Sequence, residues 1–234
     1  MNIQAAAVLF DLDGTLVDTA ADIAQAANAM LQAMGRTPFD EVTVAGWIGD
    51  GIPRLIKRAL TGERFAEPDE GLFRKAEVLF GDVYEAHVAD LSQPYPNVAE
   101  TLQTLKSDGF RLACVTNKAG RFTEPLLAAL GLRGHFDVVI SGDALARVKP
   151  DPLPVFVACE RLGVGVGDAV LVGDSANDMK AAKAAGMRAI GVHYGYNHGV
   201  DLTTLGPVAT VDDMARLLDL LRYHGGSVTQ RALS

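Results

Sequence analysis

Two carboxylates, Asp11 and Asp13, follow a short apolar run in the stretch AVLFDLDGTLVD. Side chains two apart on a strand share a face, so the pair repels itself unless a cation lies between. Asp-Gly is also a common turn pair, and alone the stretch reads equally well as a turn. Three other apolar runs end in groups capable of chemistry. RLACV leads into Thr116-Asn117-Lys118, FDVVI into Ser141-Gly142 with Lys149-Pro150 a few residues on, and AVLV into Gly173-Asp174-Ser175-Ala176-Asn177-Asp178. Each group has a plainer reading. Thr116 suits a helix cap, and a single lysine such as Lys149 is ordinarily solvated, although Pro150 biases it toward extended backbone. Asp174 and Asp178, four apart, suit one face at a helix start, where the dipole favours negative charge. The agreement of all four strand ends favours chemistry over the separate plain readings.

The elements that must position these groups are short strands alternating with helices. Strands are expected at Ala5–Phe10, Phe110–Val115, Phe136–Ile140, Ala169–Val172, Arg188–Val192 and, more weakly, Val208–Val211. Between them TLQTLKSDG, EPLLAALG, LPVFVACERLG and MKAAKAAG read as helices ending in glycine. Such alternation implies βαβ units and a Rossmann-like parallel α/β sheet, covered on both faces where the strands are continuously apolar. Ligands of such sheets bind at the carboxyl ends of the strands, where the polar groups fall. The interval after the first strand holds no convincing strand. TAADIAQAANAMLQAMG, IPRLIKRAL and a long EGLFRKAEVLFGDVYEAHVADL are helical patterns instead. The expected organisation is a core of residues 1–17 and 91–234 with a small helical domain, 18–90, inserted through two natural hinges. The closing GGSVTQRALS is polar and glycine-led, and loose order is expected there.

The 234 residues are 49% apolar and 21% charged, as in a soluble globular protein. A net charge of −8 leaves no basic footprint for nucleic acid and would be repelled by an anionic membrane. An anionic substrate would need a metal ion or a few local cations. Cys114 and Cys159 fall in apolar runs and read as core thiols. The N-terminal residues carry no basic region and too short an apolar run for a signal peptide. A cytoplasmic protein is expected, as a monomer or homodimer, with a small phosphorylated metabolite as its partner. GVGVGD follows a helix rather than a strand, so it is not a dinucleotide fingerprint, and no GxxxxGK[ST] loop is present.

Several carboxylates at one sheet edge make a hard-oxygen site suited to Mg²⁺, which typically takes one or two carboxylates plus substrate phosphate. The ion would relieve the repulsion between Asp11 and Asp174. Thr116, nearby backbone N–H groups and Lys149 would then hold phosphate oxygens. An aspartate nucleophile is already ionised at neutral pH and needs no activating base.

FDLDGTLVDT, VTNK, VKP and GDSANDMKAAKAAG, in that order, resemble the four motifs of the haloacid dehalogenase superfamily. The helical insertion resembles that family's small cap. Within the family the chain looks most like bacterial phosphoglycolate phosphatases, through WIGDGIPRLIKRAL, VTNKAGRFTEPLLAALGL and HYGYNHG. The resemblance implies that Asp11 is the nucleophile forming an aspartyl-phosphate. It implies that Asp13 is the general acid and base, protonating the leaving alkoxide and then activating water. Asp11, the backbone carbonyl of Asp13, and Asp174 would ligate Mg²⁺, with Asp178 bound directly or one shell out. Thr116 and Lys149 would hold the phosphoryl group, with Lys149 also steadying Asp11, and Asn117 would sit beside the substrate. Arg54 in the inserted block, or Lys118 at the core edge, is the expected reader of a substrate carboxylate. A dehalogenase would lack Asp13, and a phospho-receiver domain would lack the insertion. A sugar-phosphate phosphatase, for example one acting on N-acetylmuramic acid 6-phosphate, and a β-phosphoglucomutase-type mutase share the motifs and stand as alternatives.

Overall fold

The computed structural model describes residues 2–225. Ten strands are present: β1 (Ile3–Ala5), β2 (Ala7–Phe10), β3 (Val17–Asp18), β4 (Gln93–Pro94), β5 (Arg111–Val115), β6 (Val138–Ile140), β7 (Ala169–Gly173), β8 (Arg188–Val192), β9 (Ala209–Val211) and β10 (Leu221–Tyr223). Six of them form one parallel sheet in the order β6-β5-β2-β7-β8-β9. The central strand is apolar throughout because both its faces are covered. Val8 and Phe10 enter one core cluster, while Ala7 and Leu9 enter a second on the opposite face. The first cluster takes in helices α5 (Val98–Ser107) and α6 (Gly120–Ala129), and the second takes in α7 (Leu153–Leu162) and α8 (Ala176–Ala185). This is the Rossmann-like α/β fold expected of the alternating pattern. Cys114 and Cys159 are free and buried.

Between β2 and β5 the chain builds α1 (Ala20–Ala33), α2 (Glu41–Ala45), α3 (Ile52–Thr61) and α4 (Glu70–Ala86). The chain enters this helical block along β3 and leaves it along β4, and the two pair antiparallel, Val17 with Pro94 and Asp18 with Gln93. The block packs through Ile23, Met30, Ile56, Phe80 and Tyr84 into the first core cluster. Its seam against the core therefore runs over the carboxyl ends of the strands.

Three local expectations need correction. The strand expected over Ala5–Phe10 is two strands, bent at Ala6, whose N–H donates to the Asp168 carbonyl and whose carbonyl accepts from Arg111. Beyond the bend, β1 leaves the main sheet and pairs in parallel with β10. The long helix expected to run through Leu91 stops at Ala86. Residues beyond it turn because the buried Asp22 carboxylate accepts from the Leu91 and Ser92 N–H groups and the Ser92 hydroxyl at 2.6–3.1 Å. The five-residue α2, capped by Asp40, was not anticipated. Of the polar tail, residues 226–234 lie outside the described residues. Among the described residues no helix is long and apolar enough to cross a membrane.

Candidate active site

Parallel register brings the polar strand ends level. Phe10 pairs with Cys114 on one side and Val172 on the other, so Asp11, Thr116 and Asp174 emerge along one edge. The Asp11 N–H is held by the Val172 carbonyl at 3.0 Å and the Thr116 N–H by Ile140 at 3.0 Å. Lys149 reaches the same point from the loop after β6. Its Nζ lies 2.7 Å from Asp11 Oδ1 and 2.7 Å from Asp178 Oδ1. Asp178 is the third residue of α8 and closes a capping box, its Oδ2 accepting from the Ser175 N–H at 3.1 Å and hydroxyl at 2.6 Å. Asp174 precedes that helix and is not on its face. Its Oδ1 accepts from the Thr15 hydroxyl at 2.7 Å and its Oδ2 from the Tyr196 N–H at 2.6 Å.

Asp13 points to the other side of Asp11. Its Oδ1 accepts both from the Thr19 hydroxyl at 2.8 Å and from Lys118 Nζ at 2.9 Å. Lys118, expected at the core edge, is buried, and its Nζ also donates to the Tyr84 hydroxyl of α4 at 2.6 Å. Asn117 braces the site. Its side chain accepts from the Lys149 N–H at 3.0 Å and donates to the Lys149 and Gly49 carbonyls at 2.9 and 3.1 Å.

A cavity over the strand ends is lined by Asp11, Asp13, Thr116, Asn117 and Lys118 from the core. Ile23, Ile48, Gly49, Gly51, Ile52 and Leu55 face them from the helical block. The cavity as a whole measures ≈ 20 Å³, about the room of one water. Arg54 does not line it. That residue faces an adjoining cleft of ≈ 350 Å³ between the block and the core, and pairs with Glu67 at 3.0 Å.

Burial, then repulsion from Asp178, pushes the Asp11 carboxyl up to about 7 despite the opposing pull of Lys149. Asp174 is also raised well above the ordinary carboxylate range, by burial first and then by Asp11 and Asp178. Burial works against the Lys149 charge, but Asp11 and Asp178 more than offset it and hold that ammonium above its ordinary value. Four carboxylates, Asp11, Asp13, Asp174 and Asp178, thus meet only two ammonium groups, Lys118 and Lys149. Asp174 is bonded to neutral donors alone. The donor set fits a hard divalent cation: one oxygen each from Asp11, Asp174 and Asp178 lies within 4.8 Å of the others, and all-oxygen donors suit Mg²⁺.

Sequence reasoning missed the residues that hold these groups. Thr15 and Thr19 stand in plain view in DGTLVDT, but nothing in their spacing says which carboxylate each would meet. The HYGYN segment, noted only as a resemblance, wraps the site. The Tyr194 hydroxyl donates to the Thr15 carbonyl at 2.9 Å, while the Tyr196 hydroxyl accepts from the Thr19 and Ala20 N–H groups at 2.8 and 3.0 Å. Gly14, at φ +83°, and Gly195 interlock here. A Cβ on Gly195 would overlap the Gly14 carbonyl oxygen and the Asp174 side chain, and one on Gly14 would overlap Asp174 as well. Tyr84 carried no sequence signal beyond an aromatic in a helix pattern.

A parallel sheet with carboxylates, a threonine and two lysines gathered at its carboxyl edge defines an α/β fold with a charged site at its strand ends. A model of the haloacid dehalogenase-like hydrolases matches residues 8–192. The chain is 48% identical over 216 residues to a phosphoglycolate phosphatase of Nitrosospira multiformis, spanning 92% of this chain and 95% of that one. It is 47% identical over 209 residues to a phosphoglycolate phosphatase of Thiobacillus denitrificans, spanning 89% and 92%. A crystal structure described as a predicted phosphoglycolate phosphatase from Haemophilus somnus superposes with a TM-score of 0.85 at 34% identity, covering 92% of this chain and 97% of that one. The chain belongs to the haloacid dehalogenase-like hydrolase family. Within it the chain is a hydrolase of the phosphoric monoester class.

Proposed function

We propose that this enzyme is a Mg²⁺-dependent phosphatase that forms an aspartyl-phosphate on Asp11 and acts on 2-phosphoglycolate. The observation that carries the reading is the floor of the cavity. Asp11 and Asp13 line it, while behind them Lys149 holds Asp11 at 2.7 Å, Asp174 has no cationic side-chain partner among the described residues, and Asp13 is paired with Lys118 instead.

Asp11 attacks phosphorus and the bond to the leaving oxygen breaks. Asp13 has Oδ1 occupied by Thr19 and Lys118, so Oδ2 is the oxygen that gives the leaving alkoxide its proton and later takes one from the attacking water. Thr116 and Lys149 bind phosphoryl oxygens, and Lys149 keeps Asp11 from turning away. Mg²⁺, when bound by Asp11, the Asp13 carbonyl and Asp174, supplies positive charge that lets an anionic ester approach an anionic nucleophile. Asp178 serves one shell out, since its oxygens are engaged by Ser175 and Lys149.

In this reading the helical block 18–90 is a cap. Its Ile23, Ile48, Ile52 and Leu55 wall the cavity and exclude water and bulky leaving groups. Of the two expected carboxylate readers, Lys118 lines the cavity and Arg54 the outer cleft, so Lys118 is assigned that role. The curated relatives' names point to the same substrate.

The test is kcat/KM with Mg²⁺ over a panel of phosphomonoesters, sugar phosphates included. A preference for phosphoglycolate of about a hundredfold, roughly 2.7 kcal/mol in transition-state binding, is expected. A flat profile would reject the substrate, and substantial turnover by pure, folded Asp11→Asn would reject the nucleophile.

A further inference from the structure

We propose that Tyr84, which the helical block contributes from α4, is a positioning residue for Asp13 and acts through Lys118. The inference rests on the reading of Asp13 as general acid and base, and adds to it a requirement that the block be seated.

The geometry is a three-member line. Tyr84 is buried, its ring stacked between Phe80 of its own helix and Phe122 of α6, with centroids 5.4 and 4.9 Å away. Its hydroxyl accepts from Lys118 Nζ at 2.6 Å, and the same Nζ donates to Asp13 Oδ1 at 2.9 Å. The ammonium also lies 4.7 Å from the centre of the Tyr84 ring. An ammonium as buried as Lys118 must be paired and hydrogen-bonded to be tolerated. Asp13 and Tyr84 are the two side chains that serve it, and they come from opposite sides of the seam. Phenylalanine would fill the aromatic stack equally well. The hydroxyl is therefore explained by Lys118, not by packing.

Removing the hydroxyl takes from Lys118 the bond that fixes its direction. Asp13 Oδ1 then follows a looser partner, and Oδ2 is less often aimed at the leaving oxygen. Because Tyr84 belongs to the block while Lys118 and Asp13 belong to the core, the line is complete only when α4 lies against α6. The acid is thus aligned when the cavity is closed.

The experiment compares wild type and Tyr84→Phe with Mg²⁺ on ethyl phosphate, an ester, and acetyl phosphate, an acyl phosphate of similar size. Ethoxide needs a proton to leave, whereas acetate leaves without one. kcat/KM reports transfer to Asp11 and omits the later hydrolysis common to both. General acid catalysis is typically worth 10²–10⁴-fold, so partial misalignment is expected to lower kcat/KM on ethyl phosphate by about tenfold or more. Acetyl phosphate should stay within about threefold of wild type, since its leaving group draws nothing from the acid. Equal losses on both substrates, or no loss on either, would overturn the inference. Phe122→Leu disturbs the same aromatic packing without removing a hydrogen bond to Lys118 and is expected to affect both substrates alike; a loss selective for ethyl phosphate there would show that packing is responsible and would also overturn it. If Tyr84→Phe does not fold, Tyr84→Met removes the same hydroxyl and carries the same expectation. A wild type inert toward both substrates and toward phosphoglycolate would overturn the phosphatase reading and this inference with it, whereas an active wild type with unselective loss overturns this inference alone.

Discussion

Asp11→Asn should make the metal-free protein more stable relative to wild type as pH rises, while abolishing its activity. The Asp11 carboxyl is raised from 3.8 to about 7, by burial first and then by Asp178, against Lys149. A carboxyl harder to ionise in the folded than in the unfolded chain costs stability as it ionises. The cost is absent below about pH 4, grows from there, and is complete above about pH 7. A shift of roughly three units at ~1.4 kcal/mol each is on the order of 4 kcal/mol in all, about 3 of which falls between about pH 5 and about pH 8. For a chain of this length 1 kcal/mol moves Tm by about 2–4 °C. Melting both proteins in EDTA should therefore show the gap, Asn minus wild type, widening by roughly 6–12 °C over that interval. Histidines and carboxyls remote from Asp11 titrate alike in both proteins and cancel in the difference, whereas Asp174, which Asp11 helps to raise, widens the gap in the same direction. Adding Mg²⁺ should lift wild type most at the alkaline end, because there the site is ionised and least stable without it. Parallel melting curves for the two proteins across the interval would refute the claim that Asp11 is held ionised against its surroundings.

Three further outcomes follow from the same geometry. Lys149→Ala leaves Asp11 and Asp178 buried without their shared cation and should cost about 3–5 kcal/mol in urea unfolding; a loss below about 1 kcal/mol would show the ion pairs to be incidental. Gly195→Ala forces its Cβ onto the Gly14 carbonyl and Asp174, so the Mg²⁺ concentration for half-maximal activity should rise by about tenfold, and an unchanged value would detach the HYGYN segment from the metal site. Arg54→Ala removes only a half-exposed pair with Glu67 beside the outer cleft, so KM for phosphoglycolate relative to ethyl phosphate should stay within about threefold; a selective tenfold rise or so would return the carboxylate-reading role to Arg54.

The parts of the site legible in the sequence are those that parallel topology gathers without help. Once AVLF, RLACV and AVLV are strands of one parallel sheet, register alone sets Asp11, Thr116 and Asp174 side by side. Lys149 was legible only through the resemblance of VKP to a family motif, since it lies well along the connection between β6 and α7. What stayed hidden depends on contacts between segments far apart in the chain. Three residues at each end, β1 and β10, pair across the whole sequence with no periodic pattern to announce them. The helix expected through Leu91 obeyed its apolar spacing until a single buried carboxylate, Asp22, captured the backbone beyond it. The seating of the helical block on the core was equally invisible: the Gly49 carbonyl accepts from both Asn117 and Asn177, and Asp50 from Asn177 at 3.0 Å.

The charge balance of the cavity answers the difficulty that a chain of net charge −8 poses for an anionic substrate. The two lysines in the site are each committed to carboxylates, Lys149 to Asp11 and Asp178, Lys118 to Asp13. Asp174 receives only a hydroxyl and a backbone N–H. Hydrogen bonds of that kind orient a carboxylate without cancelling its charge, so four acids and two ammonium groups leave two negative charges uncompensated at the sheet edge. A divalent cation matches that excess in sign and magnitude. Under the proposed reading, Mg²⁺ held by Asp11, the Asp13 carbonyl and Asp174 would offset that excess, while Lys149 is shared between Asp11 and a phosphoryl oxygen and Lys118 between Asp13 and the substrate carboxylate. Neither lysine alone, nor the ion alone, would offset a dianionic ester beside the four aspartates of this sheet edge. The division also explains why Asp11 and Asp13 have separate ammonium partners: a nucleophile and a proton carrier joined to one lysine would compete for it at the step where both must act.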